Sequence, residues 1–146
     1  MSEEIGGPYI QIAAFCQTAL IEGQGAVSII RILDRIAVQE PPPESQGTQV
    51  QLTLVVILKS GFFKGRSAIT IRPKAPGEQI LPPIQFPCLF EGDERGVQII
   101  LPMLMVLKDE GLYWFEISID GSVMTQVPLR ILHQPQIPQQ MGTAPG

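Results

Sequence analysis

Apolar and polar residues alternate with a period of two along much of the chain, which is the pattern of strands that bury one face. The clearest case is the segment 49–59, in which Val50, Leu52 and Leu54 alternate with glutamine and threonine. Its second half, 55–58, is apolar at every position, as expected of a strand that is covered on both sides. The alternation therefore predicts a strand here.

Similar patterns, separated by turn residues, predict the other strands. The predicted strands are 9–16, 26–36, 49–59, 66–72, 84–90, 96–107, 111–119 and 122–133. Residues 26–36 also place polar side chains at helical spacing, but their β-branched content and the proline run that follows favour a strand. Pro87 cannot donate in a central ladder, so its strand is predicted at a sheet edge. The count and spacing predict an all-β protein, an antiparallel sandwich of about seven to eight strands.

The domain organisation follows from length and from the distribution of proline and glycine. A chain of 146 residues with 45% apolar composition is sized for one core. Residues 1–8 are predicted as a flexible N-terminus, 9–133 as the β-sandwich domain and 134–146 as a disordered tail rich in proline and glutamine. The uncharged run 5–21 lacks a basic flank, so we interpret it as a core strand and not as a signal sequence. No transmembrane segment is predicted, and a cytoplasmic location is expected.

A corner motif carries the most specific signal for the fold. Asp109, Gly111 and Tyr113 have the spacing of the tyrosine corner of immunoglobulin-like sandwiches, in which the tyrosine hydrogen-bonds back across the corner. Phe115 then takes the position of the second core cysteine of antibody domains. The dipeptide Asp120–Gly121 supplies the positive φ angles of a tight two-residue turn between the last two strands. These residues are predicted to be structural.

Two parts of the chain together resemble a known family. One part comprises Ala13 to Cys16 and Gly25 to Ile36, and the other comprises Gly111 to Phe115, the Asp120–Gly121 turn and Val127 to Arg130. They resemble an uncharacterised bacterial family of immunoglobulin-like β-sandwich proteins, a domain of unknown function. The resemblance implies an immunoglobulin-like sandwich and a bacterial origin. It implies no activity, cofactor or catalytic residue.

Catalytic and metal-binding chemistry finds little support in the residues themselves. His133 is the single histidine and lies where the last predicted strand meets the tail, a poor place to hold a general base. Acidic clusters at 91–94 and 109–110 lie in predicted turns and lack calcium-loop spacing. Cys16 and Cys88 are interpreted as reduced strand or core residues. We therefore predict a protein that is not an enzyme, with no catalytic residue, metal or cofactor.

Basic residues are concentrated in one short stretch. Five of the ten fall within 16 positions that contain no acid: Lys59, Lys64, Arg66, Arg72 and Lys74. If residues 49–73 form a hairpin, its tip presents Phe62 and Phe63 among cations, which suits an acidic partner, an anionic membrane or a phosphate-rich ligand. The alternative is that one of the two phenylalanines folds back into the core. The net charge of −4 and the pI near 4.9 argue against general nucleic-acid binding.

Trp114 is a second candidate contact residue. Alternation places it on a mainly polar face, opposite Tyr113 and Phe115, and exposed tryptophan is enriched at binding hot spots. The alternative is that it packs beneath a loop or beneath the segment 73–83. Its solvent accessibility decides between the two.

These features predict a non-enzymatic protein–protein interaction or structural module. The expected partner is another protein, bound through sheet edges or through the hairpin tipped by Phe62 and Phe63. The alternative function is binding of an anionic surface or ligand, lipid or phosphate, through the same hairpin. Specific nucleic-acid binding is not expected.

Overall fold

The computed structural model describes residues 6–135 and forms nine β-strands in that range. They are β1 (Tyr9–Glu22), β2 (Ala26–Leu33), β3 (Arg35–Gln39), β4 (Thr48–Lys59), β5 (Lys64–Lys74), β6 (Ile84–Glu91), β7 (Gly96–Leu107), β8 (Gly111–Ile119) and β9 (Ser122–Gln134). Sheet A has the strand order β2-β1-β4-β7, and sheet B has the order β3-β9-β8-β5-β6. Neighbouring strands are antiparallel except β3 and β9, which are parallel. The all-β prediction is confirmed, with nine strands in place of seven to eight.

Some sequence predictions fall outside this range. Most of the predicted N-terminal segment (1–5) and most of the predicted tail (136–146) lie outside the described residues. In the part that is described, no helix is long and apolar enough to cross a membrane.

The two sheets pack against each other through one face of each, as the alternation predicts. In β4, Val50, Leu52 and Leu54 all join the core. At its centre Phe15 of sheet A meets Phe115 of sheet B, with ring centroids 4.7 Å apart in an edge-to-face arrangement. Both side chains are fully buried, and burial of each contributes roughly 1.5–3 kcal/mol. This aromatic pair ties the sheets together.

The predicted strand 26–36 is in fact two strands in different sheets. β2 ends at Leu33 in sheet A, and β3 begins at Arg35 in sheet B. Asp34 lies between them, and its carbonyl accepts a hydrogen bond from Arg130 N at 2.9 Å, beside β9. Alternation reports which side of a strand is buried and not which neighbour it joins, so the crossover is not visible in the sequence pattern.

The prediction that residues 49–73 form a hairpin is wrong. Both edges of β4 are occupied by β1 and β7 in sheet A, while β5 pairs with β8 and β6 in sheet B. The turn 60–63 therefore connects the two sheets at one end of the molecule. Ser60 is fully buried there, and its N–H and hydroxyl both donate to Arg95 O, at 2.9 and 2.7 Å.

The corner and turn predictions hold in detail. Tyr113 is fully buried, and its hydroxyl donates to Asp109 O at 2.6 Å. Burial raises the pKa of Tyr113, so the hydroxyl stays protonated and able to donate at neutral pH. Gly111 has φ 136°, and a Cβ there would lie 3.1 Å from a Pro76 ring carbon, so glycine fits this position best. The Asp120–Gly121 turn has φ angles of 49° and 84°.

The strand that contains Pro87 is confirmed as an edge strand, since β6 is the last strand of sheet B. Pro102 lies in β7, which is one of the two edge strands of sheet A. The register of β7 with β4 continues through Pro102 without a shift. A proline on an edge strand discourages pairing with other chains.

Candidate interaction surfaces

The structure divides the residues of the predicted interaction surface among three places. Phe62 and Phe63 lie in the turn 60–63, Lys59 ends β4, and Lys64, Arg66, Arg72 and Trp114 lie on sheet B. Strands rise about 3.3 Å per residue, so the bases at the two ends of β5 are roughly 33 Å apart. The clustered bases therefore do not form one tip.

The turn 60–63 exposes one phenylalanine and partly buries the other. Phe62 is 62% exposed. Phe63 is half-buried and packs edge-to-face on Phe90, with ring centroids 5.9 Å apart. Glu94 N–H donates a hydrogen bond to Gly61 O in this turn at 3.0 Å, which brings the acidic segment 91–94 beside the phenylalanines. Acids distant in sequence thus accompany the nearby bases.

The outer face of sheet B carries most of the positive charge. Six of the ten basic residues point outward from its strands: Arg35, Lys64, Arg66, Arg72, Lys74 and Arg130. The outward acids on the described strands of this sheet are Glu91 and Glu116. The outward side chains of these strands, here called the cationic face, therefore sum to a charge of +4, with Asp34 and Asp120 in the adjoining turns not counted. The rest of the chain has four bases against twelve acids.

Trp114 lies at the centre of the cationic face. It is on β8, the middle strand of the sheet, with Lys74 opposite on β5 and Pro128 opposite on β9. Its predicted position on the face opposite Tyr113 and Phe115 is confirmed, since both of those residues are fully buried and Trp114 is 38% exposed. The indole is therefore available for contact.

Glu116 is held between two of the cations. Arg72 Nη1 lies 3.9 Å from Glu116 Oε1, and Lys74 Nζ lies 3.1 Å from Oε2. The Glu116 side chain is only 12% exposed, whereas each cationic side chain is 54% exposed. Glu116 thus orients Arg72 and Lys74 while much of each cation remains open to solvent.

On sheet A the first hairpin extends as an arm, defined here as residues 17–32. β1 pairs with β4 as far as Cys16, whereas its ladder with β2 continues to Glu22. Arg31, with φ 60°, interrupts this ladder near its base. The predicted strand 9–16 is therefore too short, and the arm was not predicted.

The arm lies across the outer face of sheet A. Gln98 of β7 alternates with core residues, so its side chain points away from the core. Its Nε2 donates to the Gly25 carbonyl at the arm's tip. Since β4 lies between β1 and β7, the arm crosses β4 on the side away from the core. Val55 and Cys16 point to this side and are nevertheless fully buried. The arm thus covers the centre of the face.

The arm exposes large aliphatic side chains. Leu20, Ile21, Ile30 and Ile32 have exposed fractions of 51, 62, 44 and 64%. The charged residues of the arm are Glu22 and Arg31, and the Glu22 carboxylate accepts a hydrogen bond from the Ser28 hydroxyl. A concentration of exposed apolar surface with little charge marks interaction sites in soluble proteins.

His133 borders a shallow cavity. It lies within β9, its N–H donates to Glu110 Oε1 at 2.8 Å, and its Nε2 is buried without a hydrogen-bond partner among the described residues. The shallow cavity beside it, of about 410 Å³, is lined by Glu40, Pro41, Pro42, Pro43, Lys108, Asp109, Glu110 and His133. This lining supplies no serine or cysteine nucleophile.

The two cysteines lie in different sheets. Cys16 is in β1 of sheet A, Cys88 is in β6 of sheet B, and both are buried free thiols. Burial raises the pKa of both thiols, so neither is activated as a thiolate nucleophile. Within residues 6–135, no three histidine, cysteine or acidic side chains are grouped to hold a metal.

Sequence reasoning missed part of both surfaces. Arg130 alternates with the buried Leu129 and Ile131, so its outward direction could have been predicted. Its neighbour Arg35 joins the face through the parallel pairing of β3 with β9, for which the sequence carries no local signal. The aliphatic arm could have been suspected from apolar residues on both sides of a turn.

Comparison with known proteins gives a family and no activity. No protein of curated function matches the chain. The model of a family of unknown function, DUF6941, matches residues 11–132, a range that includes the arm and every basic residue of the cationic face. The chain therefore belongs to this family of unknown function, DUF6941.

Proposed function

We propose that the chain is a non-enzymatic protein-interaction module that binds a partner protein through the aliphatic side chains of the arm. The observation that carries the proposal is the exposure of Leu20, Ile21, Ile30 and Ile32, each at 44–64%, on one two-stranded ladder. Full burial of an aliphatic side chain contributes roughly 1.5–3 kcal/mol relative to exposure. Burial of these four side chains against a partner therefore contributes favourably to binding.

The character of the arm fits a protein partner better than a charged ligand. The cores of protein interfaces are depleted of charge, and the arm carries two charged residues in sixteen positions. β2 is also the edge strand of sheet A, so an extended partner segment can pair with its free backbone groups. The expected partner surface is apolar with an exposed strand.

The same proposal includes an immunoglobulin-like sandwich. β1, β4 and β7 correspond to strands A, B and E of one sheet, and β5, β8 and β9 correspond to strands C, F and G of the other. Tyr113 then falls on strand F, two residues before the core position Phe115, as in a tyrosine corner. The arm and β3 are additions to this plan.

A bacterial origin and a cytoplasmic location complete the proposal. The first rests on the family resemblance of the corner and of the first hairpin. The second rests on two buried free thiols, Cys16 and Cys88, which suit a reducing compartment.

The test is affinity capture with a tagged chain from an extract of the source organism, at low and moderate salt, followed by quantitative mass spectrometry. The variant is the double substitution Ile21→Asp with Ile32→Asp. The matched control is Ile80→Asp, because Ile80 is 92% exposed and lies in a loop outside the arm. We expect one stoichiometric protein at both salts, lost with the arm variant and retained with the control.

Reconstitution with the purified partner then separates direct from indirect capture. Binding of the purified protein that weakens at least tenfold with the arm variant supports the proposal. Capture that survives the arm variant, or that is lost equally with Ile80→Asp, contradicts it. Light scattering on the chain alone tests whether the partner is a second copy.

A further inference from the structure

Cations flank Trp114 on both sides of the central strand. Arg130 lies on β9, diagonal to the indole, and Arg72 and Lys74 lie on β5. Neighbouring strands are about 4.8 Å apart, so the two groups of cations are separated by roughly 10 Å across the sheet. Between them the indole offers an apolar platform that is 38% exposed.

Two arginines stand directly side by side in this surface. Arg35 and Arg130 are partners in the parallel β3–β9 ladder, and both are exposed. Like charges facing each other across a ladder destabilise it. Asp34 Oδ1 lies 3.6 Å from Arg35 Nε, but these side chains are 79% and 66% exposed, so solvent weakens that attraction. An anion supplied from outside relieves the repulsion.

We propose that the cationic face is a second binding site, which takes an extended acidic segment of a partner protein with Trp114 as its apolar anchor. Arginine guanidinium groups match carboxylates in a two-pronged geometry. Two of the three cations that flank Trp114 are arginines, Arg72 and Arg130, and Arg35 adjoins Arg130 on β3. In an extended chain alternate side chains point to the same side, so acids at positions i and i+4 flank an apolar residue at i+2 and are roughly 13 Å apart. The long side chains of arginine and lysine bridge the difference from the separation of the two groups of cations, and the apolar residue between the acids then lies on the indole.

Charge complementarity selects this occupant. The face has a charge of +4 in a chain of net −4, so an acidic segment is steered to this side and repelled elsewhere. A membrane surface is the competing occupant, since Leu89 on β6 and Leu132 on β9 are also exposed on this face. The acidic segment is favoured because the cations are grouped on the two sides of Trp114 and Glu116 fixes Arg72 and Lys74 in place.

The single tryptophan makes the test specific to the site. Trp114 is the only one in the chain, so its emission reports directly on the cationic face. The probe is a nine-residue peptide without tryptophan, with a central leucine and a glutamate two residues away on each side. Its matched control has glutamine at the glutamate positions. We expect a saturable change in Trp114 emission with the acidic peptide, a dissociation constant that rises with salt, and no saturation with the glutamine peptide.

Variants of the full-length chain show which residues bind the acidic peptide. Arg35→Gln with Arg130→Gln is expected to weaken binding of the acidic peptide at least tenfold, and Arg72→Gln to weaken it by a smaller factor. Lys108→Gln removes the same charge outside the face and is expected to leave binding unchanged. Circular dichroism checks that each variant is folded, and Arg72→Gln keeps the test valid if the double variant is not.

Other outcomes overturn the inference. The inference is wrong if the acidic peptide leaves Trp114 emission unchanged, or if the glutamine peptide binds as tightly as the acidic peptide. It is also wrong if Lys108→Gln weakens binding as much as Arg72→Gln does. A response to phosphatidylserine vesicles without a response to the peptide assigns the face to membranes instead. None of these outcomes bears on the arm, whose residues lie on the other sheet.

Discussion

The outer faces of the two sheets differ in charge and in how they are covered. On sheet A, outward residues such as Val55 and Cys16 are apolar and fully buried because the arm lies over them. On sheet B, outward residues such as Arg72 and Lys74 are charged and 54% exposed, and no segment of residues 6–135 covers the centre of the face. One sandwich therefore presents an apolar side and a cationic side.

The difference between the sheets explains why part of β4 is apolar on both of its faces. The run 55–58 is apolar at every position, and alternation predicted cover on both sides of it. The second cover is the arm, a piece of the same chain. In β5 the outward positions are polar or small, and that strand is packed against other residues only on its core side. The outward residue type thus predicts whether a second layer exists, without predicting which segment provides it.

The largest expected effect comes from placing the same charge at matched positions of the two faces. Val55→Asp puts a carboxylate beneath the arm at a fully buried position, and is expected to lower the free energy of unfolding by about 3 kcal/mol or more. Thr70→Asp puts it on the outer face of β5, which is only half-buried, beside Arg72, and is expected to cost less than about 1 kcal/mol. Chemical denaturation measures both. Equal losses contradict the difference in cover.

A second prediction removes the cover itself. Replacing residues 18–30 by a short Asn-Gly turn is expected to expose Val55 and Cys16 and to lower the free energy of unfolding by about 2 kcal/mol. The Cys16 thiol is expected to react with a thiol reagent at least ten times faster than in the intact chain. Cys88 is the internal control, since it faces the core from sheet B. An unchanged rate at Cys16 means that the arm is not its cover.

Local chemistry accounts for what could be predicted of the fold. The Tyr113 hydrogen bond and the Asp120–Gly121 turn depend on residues within a few positions of each other, so the sequence specifies them. The edge position of Pro87 follows from its missing N–H. The crossovers at Asp34 and at the turn 60–63 depend on which strands pair over long distances, and alternation does not encode that choice.

The candidate surfaces follow the same division. Alternation correctly directs Arg66, Arg72 and Trp114 outward on sheet B. It cannot bring Arg35 beside Arg130, because that contact requires the parallel pairing of β3 with β9. The predicted tip at Phe62 and Phe63 failed for a related reason, since β4 and β5 belong to different sheets.

A third prediction increases the contrast between the faces. Glu116→Gln removes the acid between Arg72 and Lys74, and is expected to cost about 1 kcal/mol of stability because two partly exposed ion pairs are lost. The same change is expected to tighten binding of the acidic peptide by roughly two- to fivefold, since the face gains one unit of positive charge. Denaturation and Trp114 emission measure the two effects. Weaker peptide binding indicates that Glu116 acts mainly by positioning the cations.

The smallest expected effect is a pH dependence confined to sheet B. Ala68 N donates to Asp120 Oδ1 at 2.8 Å, and this hydrogen bond lowers the pKa of Asp120. A carboxyl whose pKa is depressed in the folded state stabilises it above the unfolded pKa of about 3.9, and the contribution is lost as pH falls through the folded value. Asp120→Asn keeps an acceptor and tolerates φ 49°, so it removes the charge alone. We therefore expect the variant to be less stable than the natural chain at pH 7 and to match it more closely near pH 3.

The matched control for this last prediction is Asp93→Asn, because Asp93 has a similar φ of 57° in an exposed turn and no hydrogen bond to its carboxylate within residues 6–135. Denaturation at both pH values compares the two variants. A stability difference for Asp120→Asn that persists unchanged at pH 3 contradicts the role of the ionised carboxylate. Because Asp120 joins the β8–β9 turn to β5, its loss is also expected to leave the reactivity of Cys16 under the arm unchanged. A faster reaction at Cys16 would mean that the two sides of the sandwich are coupled through the core.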